Sequence, residues 1–280
     1  MSRTKSPKSS RKQKKRWRTA EGSDRHELYE LSVQEPSSEV DLIDQVWKEQ
    51  RERKCRSIRE DFCGTAAVCG EWAKRRKRNT AIGVDFDAEV LEWGRRRMRQ
   101  RLNADQRRRV TLLREDVRTV ETEKVDSVLA MNFSYYAFQT RDELRDYFAR
   151  AREALVDDGM LLVDAYGGSE SFAEMEEEQN LDGFTYVWDQ HVYNPITGVA
   201  VNYIHFRFPD GTEMPRAFKY KWRLWTLPEI RELLREAGFR KVVVYWEGTD
   251  EDTEEGNGEW SVSTRGEACP SWVAYLAAMK

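Results

Sequence analysis

The sequence predicts a doubly wound, Rossmann-like α/β fold, and three features carry that prediction. Short, continuous apolar or β-branched runs alternate with segments of helical periodicity, as in a parallel sheet covered on both faces. A turn of small residues after one aromatic, Phe62-Cys63-Gly64-Thr65-Ala66, separates the first run from the first helix after it, so that backbone amides can lie close to a ligand. About 20 residues further on, the second run ends at Asp85, where such a sheet presents a carboxylate to a pair of ribose hydroxyls. A Gly-Thr turn alone is common, and an Asp that ends a strand is often only a helix cap. Together, at this spacing and followed by the helical Val90-Leu91-Trp93 pattern, they read as a nucleoside-cofactor site.

Seven runs read as strands: Ser57-Ile58, Ala81–Val84, Val110–Leu113, Val125–Met131, Met160–Val163, Val242–Trp246 and Trp272–Leu276. Helical patterns fill the intervals at Ala66–Arg78, Ala88–Leu102, Arg141–Leu155 and Pro228–Ala237, with Pro228 suited to a first turn and Gly238 to a C-terminal cap. Ahead of the first strand, Leu28, Leu31 and Val33, then Val40, Leu42, Ile43, Val46 and Trp47, keep helical spacing that breaks at Pro36, which predicts two short helices. From Gly183 to Thr226, aromatic and β-branched runs are separated by turn signals at 194–198 and 209–212, which predicts a three-stranded antiparallel insertion. The expected organisation is a disordered basic tail (1–22), a helical cap (23–55), a seven-stranded sheet domain (56–168 and 225–280) and a β insertion (169–224) acting as substrate lid or dimer element.

A chain of 280 residues can bury one substantial core. Its 39% hydrophobic and 35% charged residues, with a mean hydropathy of -0.81, describe a globular protein with a strongly hydrated surface and no membrane-spanning segment. The net charge is -3, yet the first 18 residues hold nine bases and no acid, so the remainder carries about -12, which is -3 less the tail's +9. Long-range electrostatics therefore confine nucleic-acid contact to the tail. The Arg-rich stretch Arg95–Arg109 reads as a solvated helix face, and the acidic run Asp250–Glu255 as a loop. Cys55, Cys63, Cys69 and Cys269 form no Cys-x-x-Cys pair and adjoin no histidine, so neither a metal site nor a disulfide framework is expected. The start has neither a secretory nor a transit pattern, and the cytoplasm is the expected compartment.

The segment Arg59-Glu-Asp-Phe-Cys-Gly-Thr65 resembles the first motif of class I S-adenosylmethionine-dependent methyltransferases. That family commonly has an acid and a glycine-rich turn at the end of the first strand; Glu60 matches the acid, Cys63-Gly64-Thr65 the core of the turn, and Phe62 and Ala66 stand where glycines are usual. The resemblance implies S-adenosylmethionine as cofactor, with Asp85 on the ribose, Phe86 beside the adenine and Asp116-Val117 at its amino group. It also implies that Asn132, in the run Val125–Tyr136, opens onto the sulfonium, with Ser134, Tyr135 and Tyr136 at the acceptor's mouth. It extends over 57–168 and resumes at Trp225–Phe239 and at a reversed last strand, Trp272–Ala278. Upstream, Leu28–Gln34 resembles the cap of an uncharacterised bacterial branch, where Tyr29 and Gln34 would close over the cofactor.

Methyl transfer is an in-line displacement, so the protein has chiefly to orient the reactants and exclude water. The acceptor is expected to be a small-molecule N or O nucleophile read by the β insertion. Alternation puts Thr185, Val187, Asp189, His191 and Tyr193 on one face, with Tyr203, His205 and Arg207 together on the next strand. His191, His205, Tyr166 and Tyr135 are the candidates for base or orienting group. The insertion's dense aromatics suit a cation-binding box for an amine, but a lid packed on the domain or a homodimer contact requires the same residues and is the expected reading. Two other readings stay open: an RNA or protein methyltransferase anchored by the basic tail, and a nucleotide-binding protein of another kind, since Asp85 would serve the ribose of NAD as well.

Overall fold

The computed structural model describes residues 18–249 and 256–280; most of the basic tail and the acidic run 250–255 lie outside the described residues. Two helices lead, α1 (Arg25–Val33) and α2 (Pro36–Gln50). The Asp24 carboxylate accepts from the backbone N–H groups of His26 and Glu27 and so caps α1, while Pro36 occupies the first turn of α2, where its missing N–H costs nothing.

There follow β1 (Ser57–Asp61), α3 (Ala67–Arg75), β2 (Thr80–Asp85), α4 (Ala88–Arg101), α5 (Ala104–Arg108), β3 (Val110–Arg114), β4 (Val125–Ala130), α6 (Arg141–Glu153) and β5 (Leu155–Gly167). The insertion holds β6 (Met175–Leu181), β7 (Phe184–Asn194), β8 (Val199–Arg207) and β9 (Glu213–Arg223). The chain then returns through α7 (Leu227–Glu236), β10 (Lys241–Thr249), β11 (Gly256–Ser263) and β12 (Trp272–Met279). The main sheet has the order β11-β10-β12-β5-β4-β1-β2-β3. Its β1 to β5 pair in parallel, and β12 runs antiparallel to both β5 and β10.

The main sheet has eight strands, not the seven expected. The extra one, β11, is an edge strand rich in glycine and largely exposed, so it lacks the apolar run by which the others are recognised. The insertion likewise has four strands rather than three, because β6, Met175-Glu-Glu-Glu-Gln-Asn-Leu181, is almost entirely polar and exposed. Its pairing with β7 comes from backbone hydrogen bonds that no side-chain alternation announces.

At the centre of the sheet lies a charged strand. In β1, Arg59, Glu60 and Asp61 are all buried. Arg59 and Asp61 share one face and form a two-point ion pair, Nε to Oδ1 at 2.8 Å and Nη2 to Oδ2 at 3.0 Å, and the Tyr147 hydroxyl on α6 donates to Asp61 Oδ2 at 3.0 Å. Removing one partner strands the other's charge in the core. Asp61→Ala is therefore expected to cost about 3 to 5 kcal/mol, read as a lowered denaturant midpoint.

Candidate functional site

The turn after β1 follows a left-handed path at alternate residues: φ is 58° at Phe62, 50° at Gly64 and 56° at Ala66. Phe62 and Ala66 thus adopt the backbone a glycine would favour, at a cost of about 1 to 2 kcal/mol for an L-residue. The neighbours hold them there. Gly64 N–H donates to Asp85 Oδ2 at 2.8 Å, and Cys63 N–H to the Val84 carbonyl at 3.0 Å. Ala66, the N-cap of α3, has no side-chain acceptor, and Glu60 supplies one from the strand, its Oε2 accepting from Cys69 N–H at 3.0 Å. Helix α4 lies so close that a Cβ on Gly94 would stand 2.5 Å from the Thr65 carbonyl oxygen, whereas a Cβ on Gly64 would meet nothing within 4 Å. The turn is packed from behind and open in front.

A second left-handed turn closes β4. Asn132 and Phe133 both have φ of 56°, and their N–H groups donate to the two oxygens of Asp164 at 2.7 and 2.9 Å. Burial pushes the Asp164 carboxyl up to about 7, although those two amides oppose the shift.

Two cavities meet above these turns. The larger, about 600 Å³, runs from the β1 turn past Asp85 and Phe86 to Asn132, roofed by α1 and by β9. The smaller, about 210 Å³, lies between the insertion and the ends of β4 and β5, walled by Phe133, Tyr166, Tyr186, Trp188, Tyr220 and Trp222, with Glu170 and Glu177 beside them. Tyr29, Asn132, Tyr220 and Trp222 line both, and so mark the seam.

Eight of the expected cofactor residues, Tyr29, Glu60, Phe62, Cys63, Gly64, Asp85, Phe86 and Asn132, line the large cleft. Gln34 joins them and accepts from the Thr65 hydroxyl at 3.2 Å, tying the α1–α2 elbow to the turn. Asp116 and Val117 do not line it. Arg118 folds back onto Asp116, its Nε 3.0 Å from both carboxylate oxygens, and this bond holds the acid below its usual range, while Val117 is buried in the core. Tyr135 is also displaced from its expected place: it is fully buried and donates to the Asp164 carbonyl at 2.6 Å, a support for the turn rather than a wall of the cavity.

Tyr166 lines the small cavity, and its hydroxyl is buried without a hydrogen-bond partner. His191 and His205 line neither cavity. They flank Asp189 Oδ2 at 3.4 and 3.2 Å, and the cavity is faced instead by the alternate residues Tyr186, Trp188 and Gln190. The histidines share a face, but it is the one turned from the cleft.

Several site residues escape sequence reasoning. Asp164 leaves a trace, a single acid closing the run Met160-Leu-Leu-Val163. His26 leaves none, yet it is buried in the roof of the cleft between Trp93 and Phe218, its Nε2 has no partner, and burial lowers its pKa. Among the described residues no cluster of three His, Cys, Asp or Glu could hold a metal ion, and no helix is long and apolar enough to cross a membrane.

The large cleft fits S-adenosylmethionine on its chemistry. Each Asp85 oxygen accepts one backbone N–H, from Gly64 and from Asp87, and keeps a lone pair for a ribose hydroxyl. Phe86, 74% exposed at the rim, offers a ring face to a nucleobase. The carboxylates of Glu60 and Asp85 suit a cationic ligand.

Residues 63–161 match the family model described as a methyltransferase domain. No curated protein matches the sequence. Among solved structures, an S-adenosylmethionine-dependent methyltransferase from Clostridium acetobutylicum ATCC 824 is similar over 90% of this chain and 96% of its own, with a TM-score of 0.66 at 15% identity. An amino pentose methyltransferase from Micromonospora echinaspora, involved in calicheamicin biosynthesis, covers 91% and 96% with a TM-score of 0.63 at 17% identity. A sugar N-methyltransferase from Streptoalloteichus sp ATCC 53650 covers 100% and 99% with a TM-score of 0.61 at 15% identity. The fold, including the insertion, is thus shared along nearly the whole length.

Burial raises the Glu60 carboxyl to about 7, helped by the nearby Asp85 and Asp61 and opposed by the Cys69 bond. Its folded pKa lies above the unfolded one, so the stability it contributes is present at low pH and is lost as the pH rises through about 7. Glu60→Gln keeps an acceptor for Cys69 N–H but cannot ionise. Its melting temperature is expected to fall less than that of the wild type between pH 5 and 7, roughly a one-proton difference in slope; parallel curves in that window would contradict this.

Proposed function

We infer that this chain, whose residues 63–161 match the model of a methyltransferase domain, is a class I S-adenosylmethionine-dependent methyltransferase that transfers the methyl group to the amine of a small polar acceptor seated under the β insertion. One observation carries the choice of an amine. The small cavity combines four aromatic rings of the insertion with two carboxylates and joins the cofactor cleft at a seam that is itself aromatic. Aromatic faces and carboxylates together recognise a cationic or basic nitrogen. The sugar and amino pentose methyltransferases of similar fold support amino sugars as the first class to test.

When bound, S-adenosylmethionine would supply an electrophilic methyl carbon carried on a positively charged sulfur, which would keep the C–S electron pair on transfer to the acceptor nitrogen. The protein's part is placement. Asp85 and the β1 turn hold the nucleoside end, and Asn132, fixed through its backbone by Asp164, offers its amide at the seam. Tyr29, Tyr220 and Trp222 close the seam against water and present ring faces to positive charge. An ammonium has no lone pair, so the acceptor must shed a proton before it attacks, and Glu170 and Glu177 are the carboxylates within its cavity that can take it. Burial raises the Tyr166 phenol, which therefore stays protonated and orients the acceptor by hydrogen bonding instead of acting as a base. Asn202 stands near that hydroxyl, but the two make no hydrogen bond of ordinary geometry.

A methyl-transfer screen over amines, phenols and carboxylates tests the reading directly, and preferential methylation of phenols or carboxylates would sink it. Trp188→Ala is expected to raise KM for the amine by about 5- to 30-fold with little change in kcat. Asp85→Ala is expected to weaken cofactor binding in calorimetry by about 10- to 100-fold; unchanged affinity would remove the ribose role.

A further inference from the structure

Although the body of the chain is acidic as a whole, a large share of its bases gathers on one face of the fold. The end of α3 and the turn after it are basic throughout, Lys74–Arg78; α4 carries five arginines within Arg95–Arg101, and Arg107–Arg109 close α5. These stretches form one surface. Lys74, Arg97 and Arg101 border the same small recess between α3 and α4, and Arg109 Nη1 donates to the carbonyls of Arg76 and Asn79 at 2.9 and 2.7 Å, which ties the end of α5 to the end of α3. The acids that meet these bases are mostly shared. Glu92 takes Arg95 and Arg99, Glu30 takes Arg97 and Arg101, Asp105 takes Arg108 and Arg109, and Asp44 takes Arg75 and Arg76. With Glu71 on Lys74 and Asp41 on Arg75, six acids stand against thirteen bases, an excess of seven positive charges. Among the described residues, Lys77, Arg78 and Arg96 meet no acid.

Helix dipoles explain only part of this. Lys74 and Arg75 stand in the last turn of α3, and Arg99 and Arg101 in that of α4, where a cation is favoured; Arg95, Arg96, Lys77 and Arg78 do not. Unmatched like charges repel one another across the face and suit a partner of opposite sign. None of these side chains lines the cofactor cleft or the acceptor cavity. Helix α4 starts beside Asp87 at the cleft and ends at Arg101, about 20 Å away at its rise per residue. The face therefore belongs to anchoring and not to methyl transfer. Eleven of the thirteen bases are arginines, whose planar forks fit two oxygens of one phosphate. None of the large apolar side chains exposed among the described residues stands on α3, α4 or α5, so the face offers nothing to insert into a bilayer and no ring on which an unpaired base could stack.

We propose that this face docks the phosphate backbone of duplex DNA, holding the enzyme by its basic end with the active site turned away. The proposal does not depend on the methyltransferase reading. Fluorescence anisotropy on the full chain, with a labelled duplex of about two helical turns, tests it. Arg78, Arg96, Arg99 and Arg108 are all exposed, and Arg78→Gln, Arg96→Gln, Arg99→Gln and Arg108→Gln are made together. The combined variant is expected to keep the wild-type melting temperature, to bind the duplex about 10-fold or more weakly at about 100 mM salt, and to flatten the slope of log affinity against log salt by about 3. Lysine at the same four positions keeps the charge and is expected to stay within about threefold of the wild type. An unchanged affinity and slope in the Gln variant overturns the proposal, whether the basic tail alone holds the duplex or the wild type does not bind it. Tighter binding of single-stranded RNA through the same four arginines overturns the choice of a duplex. Binding to phosphatidylcholine vesicles containing phosphatidylserine, lost in the Gln variant while neither chain holds the duplex, assigns the face to a membrane and overturns it as well.

Discussion

Backbone amides turned inward at the ends of the parallel strands need acceptors, and buried carboxylates supply them. Asp85 takes Gly64 and Asp87, Glu60 takes Cys69, and Asp164 takes Asn132 and Phe133. Without these bonds the left-handed residues Phe62, Ala66, Asn132 and Phe133 would have little to offset their strain. The same carboxylates are costly to bury as charges, and those of Glu60 and Asp164 are pushed toward neutrality. One set of acids thus shapes the turns, while the basic side chains of the large cleft, Arg25, Arg216, Lys219 and Lys221, stand in its roof on α1 and β9.

The acids at the turns take backbone amides rather than basic side chains, and the body of the chain is strongly acidic. The buried Arg59 pairs with Asp61 two residues along β1 and not with the acids of the turns. The insertion then adds what the sheet cannot, a wall of aromatic rings laid over the seam where Tyr29 and Asn132 meet the two cavities.

Much of the site was legible because it is local. The β1 turn, its acid and Asp85 are short-range patterns whose spacing is imposed by one strand-helix-strand unit, and the structure brings them to one cleft. Asp116 matched its pattern as well, yet Arg118, two residues on, claims its carboxylate. The strands β6 and β11 were illegible because exposed edge strands carry no apolar alternation; their positions are set by backbone pairing with β7 and β10.

The sequence by itself determined the alternation of strands and helices and the turn with its distal acid, since periodicity and loop chemistry act within a few residues, while the meeting of His205 with His191 and Asp189 needed the pairing of two strands. Only the tertiary structure decided which face of the insertion looks inward and that Tyr135 supports the Asn132 turn from behind. A sheet's two faces differ only by what is packed against them, and buried carboxylates find one another only when the chain closes.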